Sequence, residues 1–453
     1  MDPEPVRVRS GAFQVDRKRM LEKLAQFKAP DSKGCALAWL RAAVAAAGTR
    51  IAVTSFSTAL ELRFDGRPFS ELELEEPFGA LFDEEAHPAY RFLAFGLLGA
   101  CGQGAATVSI VSGKGSGRRE LVATGLKDYS TRPAEQPGSD TRIHLRGLAE
   151  GQGDRLAAWI EERCLLAPVP ITVNERLLAP YPGETPREAV AFEADGIRGR
   201  LQPYLPPDGR SRGRLYVYGV GVENALLDAG PAAVWAEVND DRLALDASHA
   251  RIARNDRFRL VQGMVREAAQ TLHQQVASGH RRQLRTAGKS LARDERLARA
   301  WRQGLGDAAG DEKPGFLEQV LAALGAARPG AGGRDEASFA AVRKTASRTR
   351  WLREASERGL QGWSKRAAKP SEAWKPLWTA PLFLSWKARP LSLLELRTTL
   401  ERTGHVAWAQ APLRVDVPAA DAVVWAVCPQ DRHALQRLFP DASLVFSATP
   451  GRL

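Results

Sequence analysis

The fold is decided over residues 214–272, where the chain reads RLYVYGVGVENALLDAGPAAVWAEVNDDRLALDASHARIARNDRFRLVQGMVREAAQTL. The run up to Val222 and a second short apolar run over 234–238 each predict a strand. A polar turn opens at Asp240, and Asp246 or Ser248 can then cap a short helix. Apolar side chains next recur at steps of three and four, which predicts an amphipathic helix. They are Phe258, Val261, Val265, Ala268, Leu272 and Val276.

This order of strand, polar turn and helix resembles the middle domain of the heat-shock protein 90 chaperone family. In that family a strand is followed by the pattern D-L-P-L-N-x-S-R-E-x-L-x-x-N and then by a long helix. His249 stands where the family has the arginine that reaches the γ-phosphate of the nucleotide, and an imidazole lacks the permanent charge and bidentate geometry of a guanidinium. The other matching positions are Leu243, Leu245, Ser248, Ile252 and Asn255.

The N-terminal part has the element order of the ATP-binding domain shared by heat-shock protein 90, gyrase, MutL and histidine kinases. The pattern predicts helices over 16–27 and 35–47, strands over 50–55 and 60–64, a helix from Pro88 to a glycine-rich segment, a strand over 107–111, a strand over 141–148, and a helix and strand over 154–173. The resemblance covers about the first 280 residues. It implies an α/β (α+β) protein whose N-terminal domain is a sandwich of helices on a mixed sheet.

In this family the first nucleotide-binding device is a helix that carries E-x-x-x-N-x-x-D. Its glutamate activates water and its asparagine holds magnesium. The corresponding positions in this chain are Ala38, Ala42 and Ala45. Alanine supplies neither a general base nor a ligand for a hard cation. We therefore expect no catalytic residue, with Ala38 and His249 as the degenerate catalytic positions and no metal ligand.

The second and third devices of the fold are also altered. The adenine-binding D-x-G-x-G keeps Asp65 but has Arg67 and Phe69 at the glycine places, and Asp65 with Gly66 also fits an ordinary turn at a strand end. The phosphate-binding G-x-x-G-x-G has Cys101 at its third glycine. At most, the remaining residues would hold ATP or ADP weakly and without magnesium. The candidate nucleotide contacts are Ala42, Asp65, Gly96, Gly99, Gly102, Gly104 and Lys114.

Beyond residue 280 the chain becomes strongly basic. Residues 281–302 carry eight Lys or Arg against two acids, and residues 343–375 carry ten against three. Residues 326–333 form a Gly/Pro/Ala-rich linker. Trp351, Trp363, Trp374, Trp378 and Trp386 lie in or near the second basic run. We predict four regions: an ATPase-like domain over 1–180, a short middle-like α/β domain over 181–280, a basic helical region over 281–380 and a small α/β domain over 381–453.

Composition limits the class of protein. The 453 residues carry a formal charge of +11, which suits an acidic partner but also follows from an arginine-rich composition. Cys35, Cys101, Cys164 and Cys428 lie far apart without a C-x-x-C pair, which disfavours a zinc site or disulfide framework and suits a reducing cytoplasm. The first ten residues lack the apolar core of a signal peptide, and no apolar run is long enough to span a bilayer. We expect a cytoplasmic protein without a membrane partner.

Two functions from different classes fit these patterns. One is a heat-shock protein 90-like chaperone or protein-binding scaffold with a degenerate ATP site, which binds client proteins and, if the C-terminal domain follows the family, forms a homodimer. The other is a nucleic-acid-binding protein on a MutL-like scaffold. Its basic runs over 281–302 and 343–375 would meet phosphates, and Trp351 and Trp363 would stack on unpaired bases.

A third hypothesis is a weak but active ATP-dependent chaperone. It needs a displaced general base, and the candidates are Glu71, Glu73 and Glu75 in the connector after the second strand. A base also requires fixed geometry and a metal partner, so the sequence favours this hypothesis least.

Overall fold

A computed structural model describes residues 21, 23, 32–102, 107–178, 189–246, 248–294, 296–306, 332–359, 375–385, 387–409, 423–440 and 442–446. These residues form a mixed α/β protein with three sheets, which confirms the predicted class. None of their helices is long and apolar enough to cross a membrane. Outside the described residues lie Gly104, Trp363, Trp374, Trp386, and most of the predicted helix over 16–27 and of the linker over 326–333.

The first unit consists of helices packed on an eight-stranded sheet. Its strands are β1 (Ile51–Phe56), β2 (Ala59–Phe64), β3 (Thr107–Ser112), β4 (Arg119–Ala123), β5 (Tyr129–Pro133), β6 (Thr141–Arg146), β7 (Ile171–Val173) and β8 (Arg176–Leu177). Its helices are α1 (Ser32–Ala45), α2 (Glu71–Glu75), α3 (Pro88–Cys101) and α4 (Gln152–Arg163). The strand order is β5-β4-β3-β6-β2-β1-β7-β8, and only the pair β1–β7 is parallel.

The alternating pattern of β1 places its apolar side chains in the core of this unit. Ile51 and Val53 are buried together with residues of α1, α3 and α4. Each helix and strand predicted between residues 35 and 173 is present. The sequence does not predict the hairpin of β4 and β5, and β5 is mostly exposed. An exposed strand lacks the apolar alternation that marks a half-buried one.

The second unit is a five-stranded sheet covered by one long helix. Its elements are β9 (Val190–Ala194), β10 (Ile197–Pro203), β11 (Arg212–Val217), β12 (Val220–Leu226), β13 (Val234–Asn239) and α5 (Asp256–Leu291), and the strand order is β12-β11-β13-β10-β9. Asn255 caps α5, since its side-chain oxygen accepts a hydrogen bond from the Phe258 N–H at 3.1 Å. The apolar stripe predicted from Phe258 to Val276 is buried, which confirms the helix and its orientation.

The short helix predicted after Asp240 is absent among the described residues, which is a correction. The chain instead forms a loop closed by an isolated bridge between Leu245 and Ile252. Asp246 accepts hydrogen bonds from the backbone N–H groups of Ala250 and Arg251 at 3.1 and 3.3 Å. Aspartate closes tight turns and caps helices through the same kind of bond, so the residue type alone does not distinguish the two.

The described residues of the C-terminal part add a third sheet and five helices. Its strands are β14 (Pro381–Ser385), β15 (Pro390–Ser392), β16 (His405–Ala409), β17 (Val424–Trp425) and β18 (Ser443–Phe446), in the order β15-β14-β17-β16-β18. Its helices are α6 (Leu297–Gly304), α7 (Gly332–Gly359), α8 (Lys375–Thr379), α9 (Leu393–Thr403) and α10 (Pro429–Leu438).

The regions predicted after residue 180 share one core. The boundary predicted at 280 falls inside α5. Val261 of α5, Trp351 of α7 and Leu382 of β14 belong to the same cluster of buried side chains. The second unit, α7 and β14 therefore share a core that crosses residues 280 and 380, whereas Trp301 of α6 and Trp425 of β17 lie in a separate buried cluster.

Two buried histidines of α5 lie at its contact with α7. The ring of His273 is 4.8 Å from that of Trp351, and His280 Nε2 is 3.1 Å from Thr349 Oγ1. Burial lowers the pKa of His273 to about 4. Burial, reinforced by the positive charges of Arg348 and Arg353, lowers the pKa of His280 to about 3. Both rings are therefore neutral in the folded protein at pH 7.

These histidines predict a loss of stability in mild acid. Since their folded-state pKa values lie below the ordinary value of about 6.5, the unfolded chain takes up protons first as the pH falls. Stability from keeping both rings neutral is therefore present above pH ~6.5 and declines toward pH ~4, by up to about 1.4 kcal/mol per pH unit for each histidine. Denaturant unfolding between pH 7.5 and 5 measures this slope.

The matched variants are His273→Gln with His280→Gln, and, as control, the exposed His433→Gln. We expect the double variant to flatten the pH dependence and the control to leave it unchanged. An equal slope in all three proteins would contradict the assignment of this dependence to the buried pair.

Candidate functional site

The face of α1 that the resemblance assigns to the nucleotide is packed against protein. Ala38 and Ala42 are fully buried, and Trp39 lies against Gly96 of α3. A Cβ atom built on Gly96 would overlap the indole ring of Trp39. The lack of a side chain at Gly96 thus allows α1 and α3 to approach closely, and Trp39 fills the space between them.

Two of the glycines expected in a phosphate loop lie in a helix. Gly96 and Gly99 belong to α3, and Gly102 caps that helix by donating its N–H to Leu98 O at 3.0 Å. Backbone amides that bond within a helix are not free to cradle phosphate. Burial raises the pKa of Cys101, at the place of the third glycine, to about 12. Gly104 lies outside the described residues.

Asp65 closes the turn after β2. Its carboxylate accepts hydrogen bonds from the backbone N–H groups of Thr49 and Arg50 at 2.6 and 3.1 Å and from the Thr49 hydroxyl. Burial raises the pKa of Asp65, but these hydrogen bonds outweigh it and the pKa lies below its usual value. Phe69 stands where the resembled adenine-binding motif has a glycine. Its side chain is fully buried, and its backbone N–H donates a hydrogen bond to Ser112 Oγ at 2.9 Å. The structure therefore gives Asp65 a role in the backbone turn.

The connector glutamates are engaged by arginines or exposed. Glu71 accepts a hydrogen bond from Arg119 Nε at 2.7 Å, and Glu73 accepts one from Arg67 Nη2 at 2.7 Å. Glu73 also forms a capping box with Ser70 at the start of α2. Glu75 is exposed, as is Lys114 in the turn between β3 and β4. Neither Glu71 nor Glu73 is placed to act as a displaced base.

The second unit contacts the first through the turn between β11 and β12. Gly219 has a φ of +70°, and a Cβ there would overlap the backbone of Leu166 and Ala167. Arg214 Nη2 lies 3.0 Å from Glu162 Oε1 of α4. This close approach brings the loop that carries His249 to the helix layer of the first unit.

A pocket of about 130 Å³ lies at this junction. Ala38 and His249, which are predicted to be degenerate catalytic positions, both line this pocket. The predicted nucleotide contacts Ala42, Asp65, Gly96, Gly99, Gly102 and Lys114 are not among its lining residues. Pockets for drug-sized ligands measure roughly 300–1,000 Å³, so this one suits a much smaller ligand. Lys33, Gly34, Leu37, Ala38 and Arg41 of α1 and Trp159 of α4 line one side; Val222, Ser248, His249 and Ala250 line the other.

His249 is held by aromatic packing and an unusual backbone conformation. Its φ is +55°, in the left-handed region that few residues other than glycine adopt. Its ring centroid lies 3.5 Å from that of Phe95 and 6.1 Å from that of Phe92, both on α3. The residue at the family's arginine position therefore packs against α3 as an aromatic ring.

Arg41 is the feature that sequence reasoning missed. It is only 2% exposed, and within the described part of the chain its one hydrogen bond runs from Nη2 to Gly221 O at 3.4 Å. Its Nε has no hydrogen-bond partner in the described structure. Burial lowers the pKa of Arg41 to about 10, so the guanidinium remains charged at pH 7. An arginine within an apolar, alanine-rich helix is the sequence signal that points to this site.

Comparison with known proteins adds no family to this geometry. No protein-family model matches this chain, and no curated protein is significantly similar to it. Among the described residues, no three His, Cys, Asp or Glu side chains converge as metal ligands would. The functional proposal therefore rests on the residues themselves.

The basic runs differ in their exposure. Arg281, Arg282, Arg285, Lys289 and Arg293 are exposed along α5 and just beyond its end. In the second run Arg353 is buried, and Arg358 donates hydrogen bonds to the backbone oxygens of Pro231 and Gly209. Trp351 is buried and donates its N–H to Ala233 O at 2.6 Å. The first run thus faces solvent, and Trp351 is a core residue with no free face for a base.

Proposed function

We propose that this protein is a heat-shock protein 90-like chaperone or protein-binding scaffold that does not turn over ATP. The resemblance in element order supports it, since a helix-on-sheet unit is followed by the strand β13, a polar loop and the capped helix α5. In this proposal the first unit corresponds to the family's ATP-binding domain and the second to part of its middle domain. The partners are other proteins, and dimerisation would involve the C-terminal region.

One observation carries the loss of turnover. The face of α1 that would hold water and magnesium consists of buried methyl groups, and Trp39 fills the contact between α1 and α3. Hydrolysis requires a general base and a stabilised metal in fixed positions. Alanine supplies neither, and the arginine position holds a histidine packed against Phe95.

Calorimetric titration with ATP and magnesium, and separately with ADP, tests this proposal. We expect no magnesium-dependent binding and no release of phosphate from ATP above a no-protein control. Tight binding that requires magnesium, or steady turnover, would overturn the proposal and favour the weakly active chaperone.

Nucleic-acid binding is the second candidate, favoured by the exposed cations of α5. Arg281, Arg282, Arg285 and Lys289 can meet phosphates, whereas the buried Trp351 does not provide the stacking surface that the sequence suggests. Titrations of single- and double-stranded DNA at increasing salt separate the candidates. An affinity that falls steeply with salt and weakens on replacing these cations would favour nucleic acid as the partner.

A further inference from the structure

We infer that the pocket between the first and second units is a binding site for a small oxyanion of the phosphate class, with Arg41 as its principal ligand. The inference does not require a nucleotide or a metal. It arises from a buried cation for which the described residues supply no countercharge, placed in a pocket at the contact of two units.

Arg41 places a buried positive charge in the wall of the pocket. Its guanidinium is buried, and its only hydrogen bond to the described residues is a long one to Gly221 O. A buried charge is costly unless it is paired, and removal from water penalises it further. The nearby Cys164 does not supply a negative charge at neutral pH, because burial raises the pKa of its thiol to about 12. An anion in the pocket would supply the missing partner.

Other hydrogen-bond donors and cations lie in or beside the pocket lining. The indole N–H of Trp159 is buried without a hydrogen-bond partner in the described structure, like Arg41 Nε. Lys33 Nζ lies 4.7 Å from the centroid of the Trp159 ring, and the Arg163 guanidinium lies 4.0 Å from it. Donors without partners, next to several cations, call for a ligand that only accepts hydrogen bonds.

The carboxylates of Glu162 and Asp246, which lie on elements beside the pocket, are engaged by other groups. Glu162 is engaged by Arg214 at 3.0 Å and lies 4.0 Å from Arg163. Asp246 accepts hydrogen bonds from the Ser248 hydroxyl and from the Ala250 N–H within its own loop. Neither carboxylate is among the residues that line the pocket, whereas Lys33 and Arg41 are. The lining therefore carries a positive charge that an oxyanion would neutralise.

The size of the pocket selects among anions. At about 130 Å³ it is smaller than the sites of drug-sized molecules, and an adenine nucleotide would not be enclosed by it. A single phosphate or sulfate group would lie between α1 and the loop of His249. Such a ligand would connect the two units.

The experiment measures thermal unfolding and calorimetric binding of the full chain with inorganic phosphate, sulfate, acetate and chloride at constant ionic strength. Constant ionic strength removes general screening, which matters for a chain of charge +11. We expect phosphate and sulfate to raise the melting temperature above the chloride baseline, because a ligand that binds only the folded state stabilises it. Acetate is expected to act more weakly.

Arg41→Met keeps an unbranched apolar side chain and removes the guanidinium charge. We expect it to weaken phosphate binding by about tenfold or more, since hydrogen bonds to a charged group are lost. Without phosphate the variant should be at least as stable as the parent, because an unpaired buried charge has been removed. Lys33→Met at the rim should weaken binding less, and Arg132→Met, exposed on β5, is the control that should not change it.

Several outcomes would overturn the inference. These are a phosphate effect equal to that of chloride, an equal phosphate effect on Arg41→Met, and a phosphate effect smaller than that of acetate. Stabilisation by ATP alone, without inorganic phosphate, would also overturn it. Only magnesium-dependent ATP binding or hydrolysis bears on the proposed scaffold function, so the two proposals can fail separately.

Discussion

Trp39→Ala is expected to lower the free energy of unfolding by about 3–5 kcal/mol. The indole is 1% exposed and is one of the largest fully buried side chains of the described structure. Its removal leaves a cavity between α1 and α3, two helices held on the same sheet, so the gap can close only in part. Denaturant unfolding followed by circular dichroism measures the loss.

The same contact predicts a change of sign for Gly96→Ala. In the parent protein the added methyl group would overlap the Trp39 ring, and overpacking of this kind costs about 1–3 kcal/mol. In the Trp39→Ala background the obstacle is gone, and alanine is a better helix former than glycine by about 1 kcal/mol. We therefore expect Gly96→Ala to destabilise the parent and to stabilise the Trp39→Ala variant.

Gly263→Ala on α5 is the matched control, because a Cβ there meets no atom within 4 Å. It should be neutral or stabilising in both backgrounds. If Gly96→Ala had the same effect with and without Trp39, the two residues would not be in the contact that fills this space.

Trp39→Ala also separates two causes of lost ATP binding. If the alanines are decisive, emptying the space restores no magnesium-dependent binding, because Ala38 and Ala42 still offer no ligand. If Trp39 alone blocks an otherwise intact site, the variant would bind ATP with magnesium. Calorimetry on the variant distinguishes these causes, and we expect the first.

The helices and strands that the sequence predicts correctly are those whose local sequence signals agree with the way they pack. The helix α5 begins at its Asn255 cap and buries the apolar stripe that the spacing marks, and β1 alternates as a half-buried strand should. It does not predict the shared core after residue 180. A core depends on contacts between segments that are distant in sequence, such as α5 with Val261 and β14 with Leu382. In α7 the many charged residues also obscure, in the sequence, the apolar residues that form its buried face.

The candidate site shows the same limit. Gly96 fits both a phosphate loop and a close helix contact, and only its approach to Trp39 decides between them. Asp65 is present at the predicted strand end, but Thr49 and Arg50 occupy its carboxylate. Arg41 becomes notable only when its burial and missing countercharge are known. Residue types define what chemistry is available, whereas tertiary contacts determine which of it is free.

Arg353→Met is expected to lower the free energy of unfolding by about 3–5 kcal/mol, because it leaves a buried charge without its partner. Arg353 Nη2 donates to Asp431 Oδ1 at 2.7 Å and to Leu382 O at 2.8 Å, and both charged side chains are buried. The other donors to the carboxylate include Trp301 Nε1 at 3.2 Å, the Cys428 N–H at 3.1 Å and the Cys428 thiol at 3.4 Å. These neutral groups do not replace a guanidinium.

A double variant tests whether the unpaired charge causes this loss. Asp431→Asn keeps an oxygen acceptor for Trp301 and removes the charge, so Arg353→Met with Asp431→Asn should be more stable than Arg353→Met alone. Arg437→Met is the control, since the Arg437 side chain that pairs with Glu357 is 57% exposed and ion pairs at the surface contribute about 1 kcal/mol or less. If Arg353→Met cost no more than Arg437→Met, the pair would not hold α7 to α10. The expected difference instead makes Arg353 a core residue, which removes it from the cations that an acidic partner can reach.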